Sequence, residues 1–310
     1  MELPCLAFHQ CGRSTPFFSA TEQKRIIPAG NMDEILTGKV VCPTAQGHLL
    51  ARDAMTSATF LYNPRNGDTI HLPPLIRVQD AVLVDSHCLL SGDPAAPGCV
   101  VLLVEPEDTS IWHWAKHDYD IREQILDVEE DLYDKDVICP IASCQGKFYF
   151  NSFSTELGVL EFSPGPVFSF IEIDNTIAAD RSYGFSKEDN RPGDVHLVES
   201  DGELFMVTLC ANTRRDKIYR ASVHRMDFTE RRWRKVKDLG GRVFLLSLFY
   251  FGASCAGGEL GLEKDCVYMV YPVRKALLVF NVKEGTIEMR AFDGEVPASD
   301  KGFWVLPTNP

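Results

Sequence analysis

The run Gly252-Ala253-Ser254-Cys255-Ala256-Gly257 sets a serine and a cysteine between glycines, the residue types of a nucleophile elbow. An elbow reads G-x-S-x-G, because the sharp strand-to-helix turn needs a small residue two places after the nucleophile. Here the second glycine falls one residue late, so Ser254 and Cys255 are expected to line a turn after a strand and to do no chemistry. Trp112-His113-Trp114-Ala115-Lys116-His117 places two imidazoles four residues apart, which on a helix would let them share a metal ion. The segment reads as a strand, and no glutamate accompanies the pair. Cys139 with Cys144, and Cys255 with Cys266, lack zinc-knuckle spacing. No Walker loop, dinucleotide fingerprint or kinase set occurs. The expectation is no catalytic residue, no metal and no cofactor. Paired carboxylates far apart in sequence stay open, since a glycosidase brings its two acids together only in the fold.

The elements that would position such groups are strands. Val40 to Pro43, His48 to Ala51, Thr59 to Tyr62 and Thr69 to Leu72 are four short apolar runs, the last two separated by the strong turn Asn63-Pro64-Arg65-Asn66-Gly67. The outline recurs. Ala81 to Val84, Cys88 to Ser91, Val100 to Val104 and Ser110 to Trp114 form another set, and Val137 to Ile141, Lys147 to Asn151, Val159 to Phe162 and Phe168 to Ile173 a third. Val195 to Glu199 and Glu203 to Leu209 open a fourth; Cys266 to Val270, Leu277 to Asn281 and Thr286 to Arg290 make the last. AQGHLLA, CQGKFYF, SDGELFMV and EKDCVYMV align, each a polar turn ahead of a strand that becomes apolar. Repeats of about forty residues with four strands each are propeller blades. The fold class is all-β, a single β-propeller of about five to seven irregular blades spanning residues 1–310.

Ile218 to Ser247 carries the clearest blade grammar: strand, turn, strand, glycine break, strand. Asp227 can hydrogen-bond turn amides, and the Trp233 indole can cover the gap between sheets. Gly240 and Gly241 break the run, and Val243 to Leu246 is an apolar strand. Asp118 to Asp136 departs from this grammar. Its apolar Ile121, Ile125, Val128 and Leu132 fall at helical period, so an inserted acidic amphipathic helix or long loop is expected near 118–136. Asp174 to Asp194, polar and turn-rich, is expected to be an exposed loop.

Of the 310 residues, 45% are hydrophobic and 24% charged, the makeup of an ordinary globular chain. No apolar run approaches the ~20 residues of a membrane span. MELPCLAFHQCGRS carries Glu2, Pro4, His9 and Gln10 and makes a poor signal peptide. The ten cysteines are scattered, most inside apolar runs, and are expected to be reduced thiols without zinc. Location is expected to be cytoplasmic or nuclear, with no membrane partner. The net charge of −13 argues against nucleic-acid binding. Arg214 to Arg242 holds eleven basic residues against four acidic, a net +7 that leaves −20 on the remainder. One reading is a solvated face; the other is a docking patch for a protein with an acidic surface, with Arg214, Arg215, Arg231, Arg232 and Arg234 flanking turns.

VHLVESDGELFMV, VHRMDFTERRWRKVKDLGGRVFLLS, FGASCAGGELGLEKDCVYMV, LLVFNVKEGTIEMR and GFWVLPT, which contains Trp304, together resemble the C-terminal half of the KIB-type β-propeller family of plant F-box proteins. LYNPRNGDTIHLPPL and CQGKFYFNSF extend the likeness toward the N-terminus. The resemblance implies a kelch-like, non-enzymatic propeller that recruits targets for a ubiquitin ligase. Such family members begin with a helical F-box, but here Leu3-Pro4 is followed by Cys5 and strand-like sequence, with Gly12, Pro16, Pro28 and Gly30 before Val40. The F-box is therefore expected to be absent, and with it binding of the Skp-type adaptor. The alternative is a propeller hydrolase that acts on a sugar or ester through carboxylates at the channel mouth. A last expectation concerns the chain ends. Phe303 to Leu306 should complete a sheet with Cys5 to Phe8 or with Phe17 to Ser19, because an unpaired edge strand is a liability.

Overall fold

The computed structural model describes residues 3–8, 15–27, 32–105, 110–115, 122–125, 139–153, 155–162, 165–174, 194–212, 217–247, 250–258, 261–271, 275–294, 296 and 301–306. The chain forms two compact units, residues 1–138 with 292–310, and residues 139–291.

In the first unit, β1 (Cys5–Phe8), β2 (Phe17–Ser19) and β3 (Arg25–Ile26) precede a short helix, α1 (Met32–Leu36). A four-stranded sheet follows: β4 (Lys39–Pro43), β5 (Leu49–Asp53), β6 (Thr59–Tyr62) and β7 (Thr69–Leu72). Helix α2 (Asp80–Asp85) leads into β8 (His87–Leu90), β9 (Val100–Val104), β10 (Ser110–Ala115) and β11 (Arg122–Ile125), again one sheet. In the second unit, β12 (Ile141–Cys144), β13 (Lys147–Phe153), β14 (Glu156–Phe162) and β15 (Pro166–Glu172) form one sheet. The next consists of β16 (Asp194–Ser200), β17 (Glu203–Ala211), β18 (Ile218–Asp227) and β19 (Arg232–Lys235). A five-stranded sheet holds β20 (Arg242–Ser247), β21 (Tyr250–Ala256), β22 (Cys266–Tyr271), β23 (Ala276–Asn281) and β24 (Thr286–Ala291). The last strand, β25 (Gly302–Val305), returns to the first unit, antiparallel to β1, with Cys5 opposite Val305 and Leu6 opposite Trp304. The ends of the chain thus share the sheet β25-β1-β2-β3, as expected, with β1 and not β2 as the partner. Six sheets, each a short antiparallel meander apart from one insertion, are the blades of a β-propeller, inside the expected range of five to seven.

Two turn types recur. Between the first two strands of a blade, Gln145-Gly146 and Asp201-Gly202 have φ of 52° and 79°, and 52° and 76°. Both residues positive is the hairpin turn whose twist matches the flanking strands. Between later strands a five-residue turn begins on a side-chain acceptor. Asp53 Oδ1 accepts from the Met55 and Thr56 amides, Asn63 Oδ1 from Arg65, Asp227 Oδ1 from Thr229 and Glu230, and Asn281 Oδ1 from Glu284. The fifth residue (Ser57, Gly67, Arg231 or Gly285) takes a positive φ. Asp and Asn serve here because their short side chains reach amides two and three residues on.

Four expectations are corrected. Ala81 to Val84 is not a strand but the body of α2, in which the Leu83 amide donates to the Gln79 carbonyl and Leu83 is buried. Four apolar residues are too few for their pattern to decide between helix and strand. The fourth strand of that blade is β11, inside the stretch expected to be an amphipathic helix or long loop. Arg122–Ile125 pairs with β10 from His113↔Arg122 to Ser110↔Ile125. The open edge of β10 offers ready backbone partners, whereas an isolated helix must first form a costly nucleus. Residues 116–121 and 126–138 lie outside the described residues, as do 175–193 of the expected loop. The Ile218 to Ser247 stretch is not one blade. Gly240 and Gly241, at φ 65° and 80°, close one sheet and β20 opens the next. Ser254 and Cys255 lie within β21, not in a turn.

β20 and β21 are the irregular feature of the last blade. β20 pairs parallel with β22, from Val243↔Cys266 to Ser247↔Val270, and β21 folds back antiparallel on its other edge. β21 then packs against β16 of the neighbouring sheet, and Gly252 makes the approach possible. A Cβ at 252 would stand 2.4 Å from Val198 Cγ2, 2.9 Å from Leu246 Cδ2 and 3.1 Å from the Leu197 carbonyl oxygen. Gly252→Val should cost about 1–3 kcal/mol or more through overpacking, read as a lowered urea midpoint. An unchanged midpoint would mean that the two strands are not held this closely.

Candidate docking site

Asp227 and Trp233, the two residues of blade grammar, do what their types suggest. Asp227 caps the β18–β19 turn, its carboxyl held below the usual range first by the Glu230 amide and further by Arg234, whose Nε donates to Oδ2 at 2.6 Å. Trp233, 5% exposed, belongs to one buried cluster with Met226, Leu197 and Met206 of its own sheet and Tyr149, Leu157 and Val159 of the β12–β15 sheet. The indole therefore fills the gap between two blades, a burial worth about 3–5 kcal/mol against alanine. Gly240 and Gly241 are organised by Asp265, whose Oδ1 accepts from the Leu239 and Gly241 amides at 2.7 and 3.0 Å. Trp304 is buried in β25.

Of the five arginines expected to bind a partner, Arg214 and Arg215 lie outside the described residues. Arg231, Arg232 and Arg234 come together on the β18–β19 turn and on β19. Only Arg231 is a turn residue; Arg232 and Arg234 belong to β19 itself, which corrects the reading that they merely flank turns. β19 is the outer strand of its sheet, with order β16-β17-β18-β19. Strand alternation puts Arg232 and Arg234 on one face, together with Arg225, which stands directly opposite Arg234. Two like charges across a strand pair are unfavourable, and each has acquired a carboxylate. Arg225 bonds Glu203 at 2.9 Å and Arg234 bonds Asp227. Arg232 lies 3.5 Å from Glu230. Arg231, Lys235 and Lys237 have no ion pair among the described residues.

Beside this face opens a cleft of about 410 Å³, lined by Arg225, Phe205, Val236, Lys237, Leu239 and Arg242 among others. Its floor is apolar: Phe205 and Leu239 are buried and Val236 half-buried. One wall is fixed by Arg242. Its Nε donates to Ser200 Oγ at 3.2 Å and Ser254 Oγ at 3.3 Å, the two hydroxyls lie 2.8 Å apart, and Nη1 reaches Asp201 at 3.3 Å. Ser254, the serine of the elbow-like run, is thus a structural link between β16 and β21. The cleft combines residues 200–205, 225 and 236–242, a grouping that no sequence spacing revealed.

The other chemistry-bearing residues are placed for structure. Burial pushes the Cys255 and Cys266 thiols up to about 11, and those of Cys5, Cys139 and Cys144 to about 12. Raised this far, a thiol stays protonated and is a poor nucleophile. The nine described cysteines are free thiols. His113 is buried in β10, whereas His117 lies outside the described residues. Among the described residues no group of three His, Cys, Asp or Glu side chains could hold a metal ion. No described helix is long and apolar enough to cross a membrane.

A KIB1-4 beta-propeller family profile matches residues 17–293, which is most of the chain. The chain belongs to the KIB1-4 beta-propeller family. The six sheets are the blades of that family's propeller. No curated protein matches the chain in sequence. Solved structures with a similar course of chain include a nidogen/laminin complex, at 8% identity and TM-score 0.46, with 99% of this chain and 100% of that one covered. Virginiamycin B lyase from Staphylococcus aureus is 12% identical, at TM-score 0.40, over 84% of this chain and 71% of that one. A putative 6-phosphogluconolactonase from Bacteroides uniformis is 10% identical, at TM-score 0.38, over 98% and 100%.

Proposed function

We propose that this KIB1-4 propeller is a non-enzymatic protein-interaction module that presents the face of β18 and β19 to an acidic partner surface. The observation that carries this reading is the concentration of cations on one outer strand and the turns that flank it, in an otherwise acidic chain. Arg231, Arg232, Arg234, Lys235 and Lys237 fall within seven residues, and the chain as a whole carries −13. Like charges at this density repel one another, and a partner of opposite sign relieves that repulsion. The family's likeness to plant F-box proteins suggests that the partner is a target or regulator within a ubiquitin-ligase context, in the cytoplasm or nucleus. Residues 1–310 are expected not to capture the Skp-type adaptor, since Cys5–Phe8 and Phe17–Ser19 are strands of a sheet and not part of a helical box.

The test is capture of partner from plant extract by the wild-type chain and by the triple variant Arg231→Glu, Arg232→Glu, Arg234→Glu. Each exposed charge contact is worth about 0.2–1 kcal/mol, so the three together should weaken capture by about tenfold. The loss should shrink as salt rises, since exposed charges are screened. The variant should melt within a few degrees of wild type. Capture that is equal for both chains at all salt concentrations would return the strand to the status of a solvated face.

A further inference from the structure

Independently of the basic face, we infer that β15 is a pairing edge through which two copies of this chain associate, antiparallel about a two-fold axis at Ser169. β15 is the outer strand of its sheet, with order β12-β13-β14-β15. An outer strand offers unpaired backbone groups, and charge or short length normally protects it. Among the other outer strands, β3, β11, β19 and β24 each carry an arginine, and β7 has only four residues. β15 runs seven residues, and Pro166 to Ile171 holds no charge. Val167 is 52% exposed and Phe170 51%. The register shows which backbone groups are open. The Ile173 amide donates to the Thr155 carbonyl at 2.8 Å, so these two residues form a hydrogen-bonded pair. Such pairs alternate along an antiparallel ladder, so Val167, Ser169 and Ile171 turn their N–H and C=O groups to β14. Phe168, Phe170 and Glu172 turn theirs outward, where no described residue meets them. Asp174, next in that series, donates its amide to the Arg231 carbonyl at 2.8 Å, which marks the end of the open edge.

The sequence of the strand selects a second copy as its occupant. Val167-Phe168-Ser169-Phe170-Ile171 reads nearly the same in both directions. With the axis at Ser169, Phe168 of each copy stands opposite Phe170 of the other. These are the residues with outward groups, so each such pair exchanges both hydrogen bonds. Val167 falls opposite Ile171, apolar against apolar. Glu172 falls opposite Pro166, whose carbonyl accepts from the glutamate amide, and the two Glu172 carboxylates stand at opposite ends of the ladder. Each edge covers the other, so association stops at two chains. One strand a side is less than the about 20–30 residues of a standard interface, which makes the pair weak and concentration-dependent.

The test is sedimentation velocity of the whole chain over a concentration series. Wild type should pass from one chain toward two between about 1 and 100 μM, the range of a small interface. Added salt should tighten the association, because each copy carries −13. Ser169 is exposed and lies on the axis, so Ser169→Lys or Ser169→Glu sets two like charges face to face. Each variant alone should associate at least about tenfold more weakly than wild type. An equimolar mixture of the two should return to within about threefold of wild type, because unlike charges then meet. Phe170→Lys should weaken association by a similar factor, and every variant should melt within a few degrees of wild type. Should a Ser169 variant melt early, Phe170→Lys decides alone. The inference is overturned if wild type stays a single chain at about 100 μM, if species larger than two chains form, or if the mixture associates no better than its components. It is equally overturned if a single chain pairs instead with a capped valine–threonine repeat peptide, which would make β15 a site for a foreign strand. Partner capture by the β19 face, which weakens with salt, is a separate readout and stands or falls on its own.

Discussion

Removal of residues 303–310 is expected to lower the melting temperature by more than about 10 °C, because the chain ends are held in one sheet by β25 and the loss exceeds one buried aromatic residue, itself about 3–5 kcal/mol. Phe303 is 1% exposed, Trp304 5% and Val305 0%, so the strand is buried along its length. Its removal strips apolar cover from β1 and leaves one side of β1 without backbone partners. Phe303→Ala alone should give a smaller drop of the same sign. The measurement is a calorimetric or fluorescence melt. An unchanged curve for the truncated chain would show that β25 adds nothing to the sheet it completes.

Arg52→Met should cost about 2–4 kcal/mol, the penalty for leaving two buried carbonyls without a donor, the exposed Asp80 carboxylate adding little. Arg52 is 3% exposed on β5 and reaches across to the segment before α2. Its Nη1 donates to the Leu75 carbonyl at 2.8 Å and also to that of Val78, and its Nη2 pairs with Asp80. Methionine keeps the aliphatic stem but leaves two buried carbonyls without their donor. The loss should appear as a lower denaturant midpoint with a similar slope. Arg52→Lys should recover little of it, since one ammonium cannot reproduce the fork. A midpoint within ~0.5 kcal/mol of wild type for Arg52→Met would place the stability of this loop elsewhere.

Most strands were legible because their turns were. Gln145-Gly146 and Asp201-Gly202 announce tight hairpins; Val195 to Glu199 pairs with Glu203 to Leu209 as read, whereas the strand before Gln145 is Ile141–Cys144 and not Val137 to Ile141. The aligned turns carry a further regularity that single strands hid. Gln46 Nε2 donates to the Leu90 carbonyl and Gln145 Nε2 to that of Gly202, each reaching from one blade's turn to the next blade. Where the reading failed, local pattern was overruled by partners distant in sequence. Ala81 to Val84 had too few residues to show a period, and Arg122–Ile125 found an edge strand that the period of its own stretch could not reveal. The Gly252 to Gly257 run looked like a turn because it is rich in small residues. Gly252 serves close packing of β21 on β16, and Gly257 the close approach to Gly241, Val243 and Lys264. For the site, the basic stretch was visible as charge. The ion pairs to Asp227, Glu230 and Glu203 and the cleft beside them depend on strand register, which charge counting does not give.

The central claim is that the β18–β19 face meets a protein partner. It is tested most directly by placing a photo-crosslinking amino acid at Arg225, exposed on the same face as Arg232 and Arg234, and, in a second chain, at Glu284, an exposed residue of the β23–β24 turn. Illumination in extract should give one dominant protein adduct from position 225 that fades as salt is raised, and none from position 284. Equal labelling from the two positions, or a pattern at 225 indifferent to salt, would contradict the claim.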